Sequence, residues 1–175
     1  MRSHRCTIDS SCIIALDHLQ LVPQLSMLFS PVLVPKAVRK ELFKRRATKD
    51  RLQIIFSTYG FFQRCDGYDQ GAVDFLLAER TRLGVKDRGE VEAVVQASQA
   101  GAAVIVDDRW GRDLAMRFDL DFHGTVWVLQ QLYQLGLLSS TLRNCFHLLR
   151  SRRVHLPWET VNELLVSVGE EPLKE

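Results

Sequence analysis

A chain of 175 residues, 46% hydrophobic and 25% charged, is the size of one domain and long enough to bury a core without staples. Those fractions exclude disordered, collagenous and membrane classes, and no apolar run approaches the roughly 18–20 residues that span a bilayer. The formal net charge of +2 says little about partners, so the distribution of charge has to be read instead.

The first five residues lead into polar Asp9, Ser10 and Ser11 rather than an apolar signal stretch, so a cytoplasmic location without a membrane anchor is expected. Residues 6–8 read as a first strand, and Asp9 or Ser10 is placed to cap a helix through residues 12–16. Cys6, Cys12, Cys65 and Cys145 show no C-x-x-C spacing, and Cys6 and Cys12 lie in apolar surroundings that suit buried free thiols. Neither a disulfide nor a zinc site is expected.

A second strand at residues 32–34 is stopped by Pro35, which the first turn of a helix tolerates. Ala37, Val38, Leu42 and Phe43 then recur at helical spacing, leaving a basic opposite face. Between residues 36 and 51, eight basic residues stand against two acidic ones, a local net of +6. A second basic cluster comprises Arg143, Arg150, Arg152 and Arg153. Each cluster alone reads equally well as a solvated helix surface. Residues 48–66 suggest a further helical turn and a strand around 61–65. Helical patterns follow at 70–83 and 89–99, separated by Gly84 and the turn-like Lys86-Asp87-Arg88-Gly89.

Residues 103–106 are the clearest strand, four apolar residues as for a strand buried on both faces. Helices are expected at 111–118, 126–135 and 139–150, with a last one at 158–168 between Pro157 and Gly169. The tail from Pro172 is expected to fray. Strand-like runs alternating with helical ones give an α/β class with a parallel sheet.

Acidic residues follow two of the strands: Asp9 after the first, and Asp107-Asp108 after residues 104–106. In an open parallel sheet that is the carboxyl edge, where ligands bind. Glu41 in the basic helix and Glu90 at the start of the helix near Asp87 complete the set. Were the two strands neighbours, these carboxylates would meet in one crevice, and such a cluster generally serves a hard cation. Other roles stand beside this one. Asp9 could only cap, Glu41 could only pair with Arg45, and Asp87-x-x-Glu90 has the form of a capping box. The Asp107-Asp108 doublet costs electrostatic energy unless something compensates it. The five histidines show no ligand spacing, and there is no G-x-x-x-x-G-K-[ST] or G-x-G-x-x-G. Trp110, Trp127 and Trp158 read as core or subunit-contact residues rather than base-stacking platforms.

Five segments in order resemble a PIN domain: Asp9-Ser10-Ser11; Val34-Pro35 through Glu41-Leu42; Asp87-Arg88-Gly89-Glu90; Val106-Asp107-Asp108 through Arg112; and Gly124-Thr125 through Leu129. More narrowly they resemble the prokaryotic branch related to the VapC toxin ribonucleases, over about residues 5–150. The resemblance implies a three-layer α/β/α sandwich with a short, mostly parallel sheet of four or five strands. It implies one PIN-like domain over 1–175, with a core of about 5–150 and a C-terminal helical extension of about 151–175.

By the same resemblance the metal-site acids fall on Asp9, Glu41, Glu90 and Asp108, with Asp87 and Asp107 as rival ligands. Ser10 and Thr125 supply polar support. Val106 stands where the branch usually has a hydroxyl residue. The implied function is a Mg2+- or Mn2+-dependent endoribonuclease, a hydrolase leaving 3′-hydroxyl and 5′-phosphate ends. Lys36, Arg39, Lys40, Lys44, Arg45 and Arg112 would attract the RNA backbone. The implied role is the toxin of a type II toxin–antitoxin pair, a homodimer inhibited by a small antitoxin protein. The alternatives are a catalytically silent PIN-like module that binds RNA or protein, and a solitary RNA or DNA processing nuclease.

Overall fold

The computed structural model describes residues 4–44, 46–81 and 88–173. Five strands form one wholly parallel sheet: β1 (His4–Ile8), β2 (Phe29–Pro35), β3 (Phe62–Cys65), β4 (Ala103–Ile105) and β5 (Phe122–His123), in the order β3-β2-β1-β4-β5. Nine helices are described among them: α1 (Ser10–His18), α2 (Lys36–Lys44), α3 (Arg46–Thr58), α4 (Gln70–Thr81), α5 (Arg88–Ala100), α6 (Arg109–Arg117), α7 (Thr125–Gln134), α8 (Leu142–Ser151) and α9 (Trp158–Ser167). The α/β class and the layered arrangement read from the sequence are those of the structure.

The strands alternate in the way a sheet covered on both faces requires. In β4, Ala103 and Ile105 join one apolar cluster with α1, α7, α8 and α9, while Val104 joins a second cluster with α4, α5 and α6. In β1, Cys6 and Ile8 face the first cluster, and the buried Thr7 turns the other way to donate its hydroxyl to the Ala93 carbonyl at 2.8 Å. Sheet order then fixes the site. The chain winds outward from β1 through β2 to β3 and returns to place β4 on the other flank of β1, so the topological switch lies between β1 and β4. Ile8 is in register with Ile105, and the Asp9 amide donates to the Ile105 carbonyl at 3.0 Å.

Three elements differ from the sequence reading. A 3-10 helix at Val22–Met27 and the two-residue β5 have too little periodicity to register, and α3 runs far longer than one turn. The end of the chain is tied down as far as Leu173, which is buried and whose amide donates to Asn162 Oδ1 at 2.8 Å. Glu170 likewise accepts from the Leu142 and Arg143 amides at the start of α8. Fraying from Pro172 is therefore not found over the described residues. No described helix is long and apolar enough to cross a membrane. The four cysteines are free thiols.

Two of the basic residues between 36 and 51 are committed to the fold. Arg51 reaches from α3 to the buried Asp17 of α1, its Nε donating to Oδ1 at 2.7 Å, and this hydrogen bond, foremost, raises the guanidinium pKa. Removing the arginine would leave an acceptor buried without its donor, at a cost of about 1–3 kcal/mol. Arg51→Met should lower the unfolding free energy by that amount in urea denaturation; unchanged stability would show that Asp17 does not depend on this partner.

Candidate metal and phosphate site

At the carboxyl edge, β1 and β4 each end in a helix cap that is also an acid. Asp9 caps α1, accepting from the Ser11 amide at 3.1 Å and the Ser11 hydroxyl at 2.6 Å. Asp108 caps α6, accepting from the Trp110 amide at 2.8 Å. Capping does not exclude a second role, since both side chains line one open cavity of about 520 Å³ together with Ser10, Glu90 and Asp107.

Glu41 enters from α2, where its Oε2 accepts from the Ser10 hydroxyl. Gly89 is what lets α5 approach: a Cβ built there would lie 3.2 Å from both Glu41 carboxylate oxygens and 3.3 Å from Asp9 Oδ1. Two carboxylates thus reach the same point, and the next residue, Glu90, is buried in the first turn of α5. The structure brings Asp9, Glu41, Glu90, Asp107 and Asp108 to one end of the sheet, with Ser10 among them. Asp87 and Arg45, and with them the capping-box and Glu41–Arg45 readings, lie outside the described residues.

The doublet divides its work. Asp107 is held from several sides: Thr125 donates its amide to Oδ1 at 2.8 Å and its hydroxyl to Oδ2 at 2.6 Å, and the Cys12 thiol donates to Oδ2 at 3.2 Å. Arg112 Nη2 stands 3.8 Å from Oδ1, and its Nε donates to the Val106 carbonyl at 3.3 Å. The compensation the sequence reading sought for the doublet therefore comes, for Asp107, from the protein itself. Asp108 is the exposed member, at the rim. Gly124 is required beside this cluster, because a Cβ there would overlap Arg112 and Asp107.

Burial, and then the charges of Asp107 and Asp9, hold the Cys12 thiol well above its ordinary pKa. It serves as a neutral donor to Asp107. Cys12 was read from the sequence only as a buried thiol; nothing in its spacing marks it as a partner of residue 107. Arg109 and residues 155–157, which also line the cavity, were likewise missed, because the loop between α8 and α9 meets β1 and β4 only through tertiary packing.

The basic residues divide similarly. Lys36, Lys40 and Lys44 are exposed on α2, whereas Arg39 is largely buried, donating to Asp66 at 2.5 Å and to the Val34 carbonyl. Arg39 is thus a tie between α2 and the strand ends rather than part of an open phosphate-binding face. Arg112 lines the acidic cavity itself.

Thr125→Val should cost about 1–3 kcal/mol, since it removes a hydroxyl donor from a mostly buried carboxylate, while Thr125→Ser should restore most of the loss. Chemical denaturation of the three proteins measures this; a valine variant as stable as wild type would mean that Thr125 does not hold Asp107.

Comparison with known proteins adds three findings. The DUF3368 family model, a PIN domain, matches residues 5–170. Among solved structures, the crystal structure of PAE2754 from Pyrobaculum aerophilum is similar at 14% identity, covering 77% of this chain and 99% of that one, with a TM-score of 0.48. No curated protein matches.

Proposed function

Since this chain belongs to the PIN-domain family, whose members are generally nucleases, we propose that it is a divalent-metal-dependent endoribonuclease working in the acidic cavity between β1 and β4. The observation that carries the reading is the meeting of Asp9 and Glu41 at Gly89, beside Glu90 and Asp108, at the switch point of a parallel sheet.

The donor set suits Mg2+ or Mn2+, which PIN domains typically use. It is built of carboxylate oxygens, the ligands of hard cations, and the one sulfur nearby is a protonated thiol already donating to Asp107. Among the described residues no group of three or more His, Cys, Asp or Glu side chains is placed to hold a metal ion. Mg2+ takes one or two carboxylates and fills its remaining positions with water and substrate phosphate. Of Asp9, Glu41, Glu90 and Asp108, one or two would hold it directly and the others through its water. A cation bound there supplies Lewis-acid polarisation of the phosphate and a more acidic water.

The chain's own residues do the rest. Ser10 and Ser11 fix the carboxylates of Glu41 and Asp9, so the acids keep their orientation when substrate arrives. Thr125, Cys12 and Arg112 fix Asp107. Arg109 and Arg112 line the cavity with positive charge, which offsets the repulsion an acidic pocket exerts on a phosphodiester. Lys36, Lys40 and Lys44 lie in solvent on the helix that carries Glu41, and they would draw in the flanking RNA backbone. The resemblance to the VapC branch extends the reading to a toxin, working as a homodimer and paired with a small antitoxin protein.

Asp9→Asn and Asp108→Asn keep the size and capping ability of the side chain but remove its charge. Each should cut manganese-dependent RNA cleavage by about a thousandfold or more, equivalent to roughly 4 kcal/mol, while leaving RNA affinity intact. Asp107→Asn should lose stability as well as activity, which separates the two halves of the doublet. Gel assays with sequencing of the 5′ ends measure this. Wild-type protein that binds RNA without cutting it would make the chain a binding module, and equal cleavage by both variants would rule out the acidic site.

A further inference from the structure

A second cavity of about 330 Å³ adjoins the acidic one, and the two share Arg112 and Pro157 in their walls. Its chemistry is different. One wall is the pair His123 and Trp127, stacked with ring centroids 3.7 Å apart and planes 11° from parallel. Phe122 adds a third ring from β5, and Gln130 and Thr160 bring an amide and a hydroxyl to the lining. Trp127 is only partly buried: it packs on the apolar core, where its ring centroid is 6.0 Å from that of Phe29, and it also lines this cavity. The sequence reading of Trp127 as a core or subunit-contact residue rather than a base-stacking platform covers only the face that packs on the core.

From this juxtaposition we infer that the His123–Trp127 cavity is a nucleobase subsite, receiving the base that flanks the scissile phosphate of a single-stranded nucleic acid. The inference rests on the nuclease reading of the acidic cavity. Three features on the page favour a base over another occupant. The lining offers flat π surface, which any unstacked base can use. Gln130 and Thr160 supply hydrogen-bonding groups suited to a base edge. Arg112 stands where the two cavities meet, a third exposed, so that a phosphate lying by the acids and its own base in the aromatic cavity would have the guanidinium between them. A cavity near 330 Å³ is at the small end of ligand pockets, which suits one base and not a stacked run. A duplex presents a base to such a cavity only by flipping it out of the stack, so a single strand is the form the subsite fits without that cost.

The test compares the full chain's binding of the four nucleoside 3′- and 5′-monophosphates with its binding of ribose 5-phosphate, which carries the phosphate without the base, by calorimetry. Wild-type protein should bind at least one nucleotide about tenfold or more tightly than ribose 5-phosphate, in line with the usual contribution of base–aromatic stacking. Two variants remove the subsite by different routes. Trp127→Leu deletes the ring, and Thr160→Met obstructs the cavity with a side chain that carries no ring, from an exposed position on α9, so a folding defect in the first leaves the second to decide. Both should reduce the preference to twofold or less. Equal binding of nucleotide and ribose 5-phosphate, no binding of either at millimolar concentration, or a preference that survives Thr160→Met in folded protein would overturn the inference. Base-dependent binding without RNA cleavage under manganese would sink the nuclease reading and keep the subsite; cleavage without base preference would do the reverse.

Discussion

Like charges brought to one end of a sheet repel, and this fold accepts that repulsion at the carboxyl edge of β1 and β4. Asp9 and Asp108 arrive there as caps of α1 and α6, Glu41 and Glu90 from α2 and α5, and Asp107 from the loop between β4 and α6. Four of the five are offset by contacts the structure shows. Helix N-termini favour negative charge, so α1 and α6 offset part of the cost for the acids that cap them. Ser10 does the same for Glu41, and Thr125, Cys12 and Arg112 do it for Asp107. The proposed divalent cation would add a counter-charge common to several of these acids.

The same constraint explains where small residues are needed. Gly89 lets α5 come edge-on to two carboxylates, and Gly124 lets the chain pass Arg112 and Asp107. Both are absences of a side chain where a side chain would press against oxygen atoms or a guanidinium. The thiol of Cys12 belongs to this picture as well: a donor small enough to sit beneath two acids, kept protonated by burial and by their charge.

Much of the fold was legible because buried strands and amphipathic helices announce themselves by pattern. Residues 103–106 carry no polar side chain, and 37–43 alternate at helical spacing, so β4 and α2 were plain. Residues 122–123 are too short to show a period and owe their strand pairing to β4 alone. At the site, the acids stand in an order that resembles a PIN domain, with Asp9 and Asp108 after strands, Glu90 in the first turn of a helix and Glu41 within one. Their supports were not. Cys12 meeting Asp107, residues 155–157 reaching the cavity, and Arg39 turning inward to Asp66 are contacts between elements distant in sequence, and they leave no local signature. The basic cluster shows the opposite error of scale, since a run of like charge hides which members are tied down; Arg39 and Arg51 hold the fold, and Lys36, Lys40 and Lys44 face solvent.

The central claim is that the acids at the end of β1 and β4 act together on a divalent cation. The most direct measurement is thermal melting of wild-type protein and Asp9→Asn, each first stripped with chelator, with and without manganese. A ligand that binds only the folded state stabilises it by RT ln(1 + [L]/Kd), about 2.7 kcal/mol at a hundredfold excess over Kd, which for a chain this size is roughly 5–10 °C. The account predicts a shift of that order in wild type and a much smaller one in the variant. A folded wild type that does not respond to millimolar manganese, or a variant that responds equally, would contradict it.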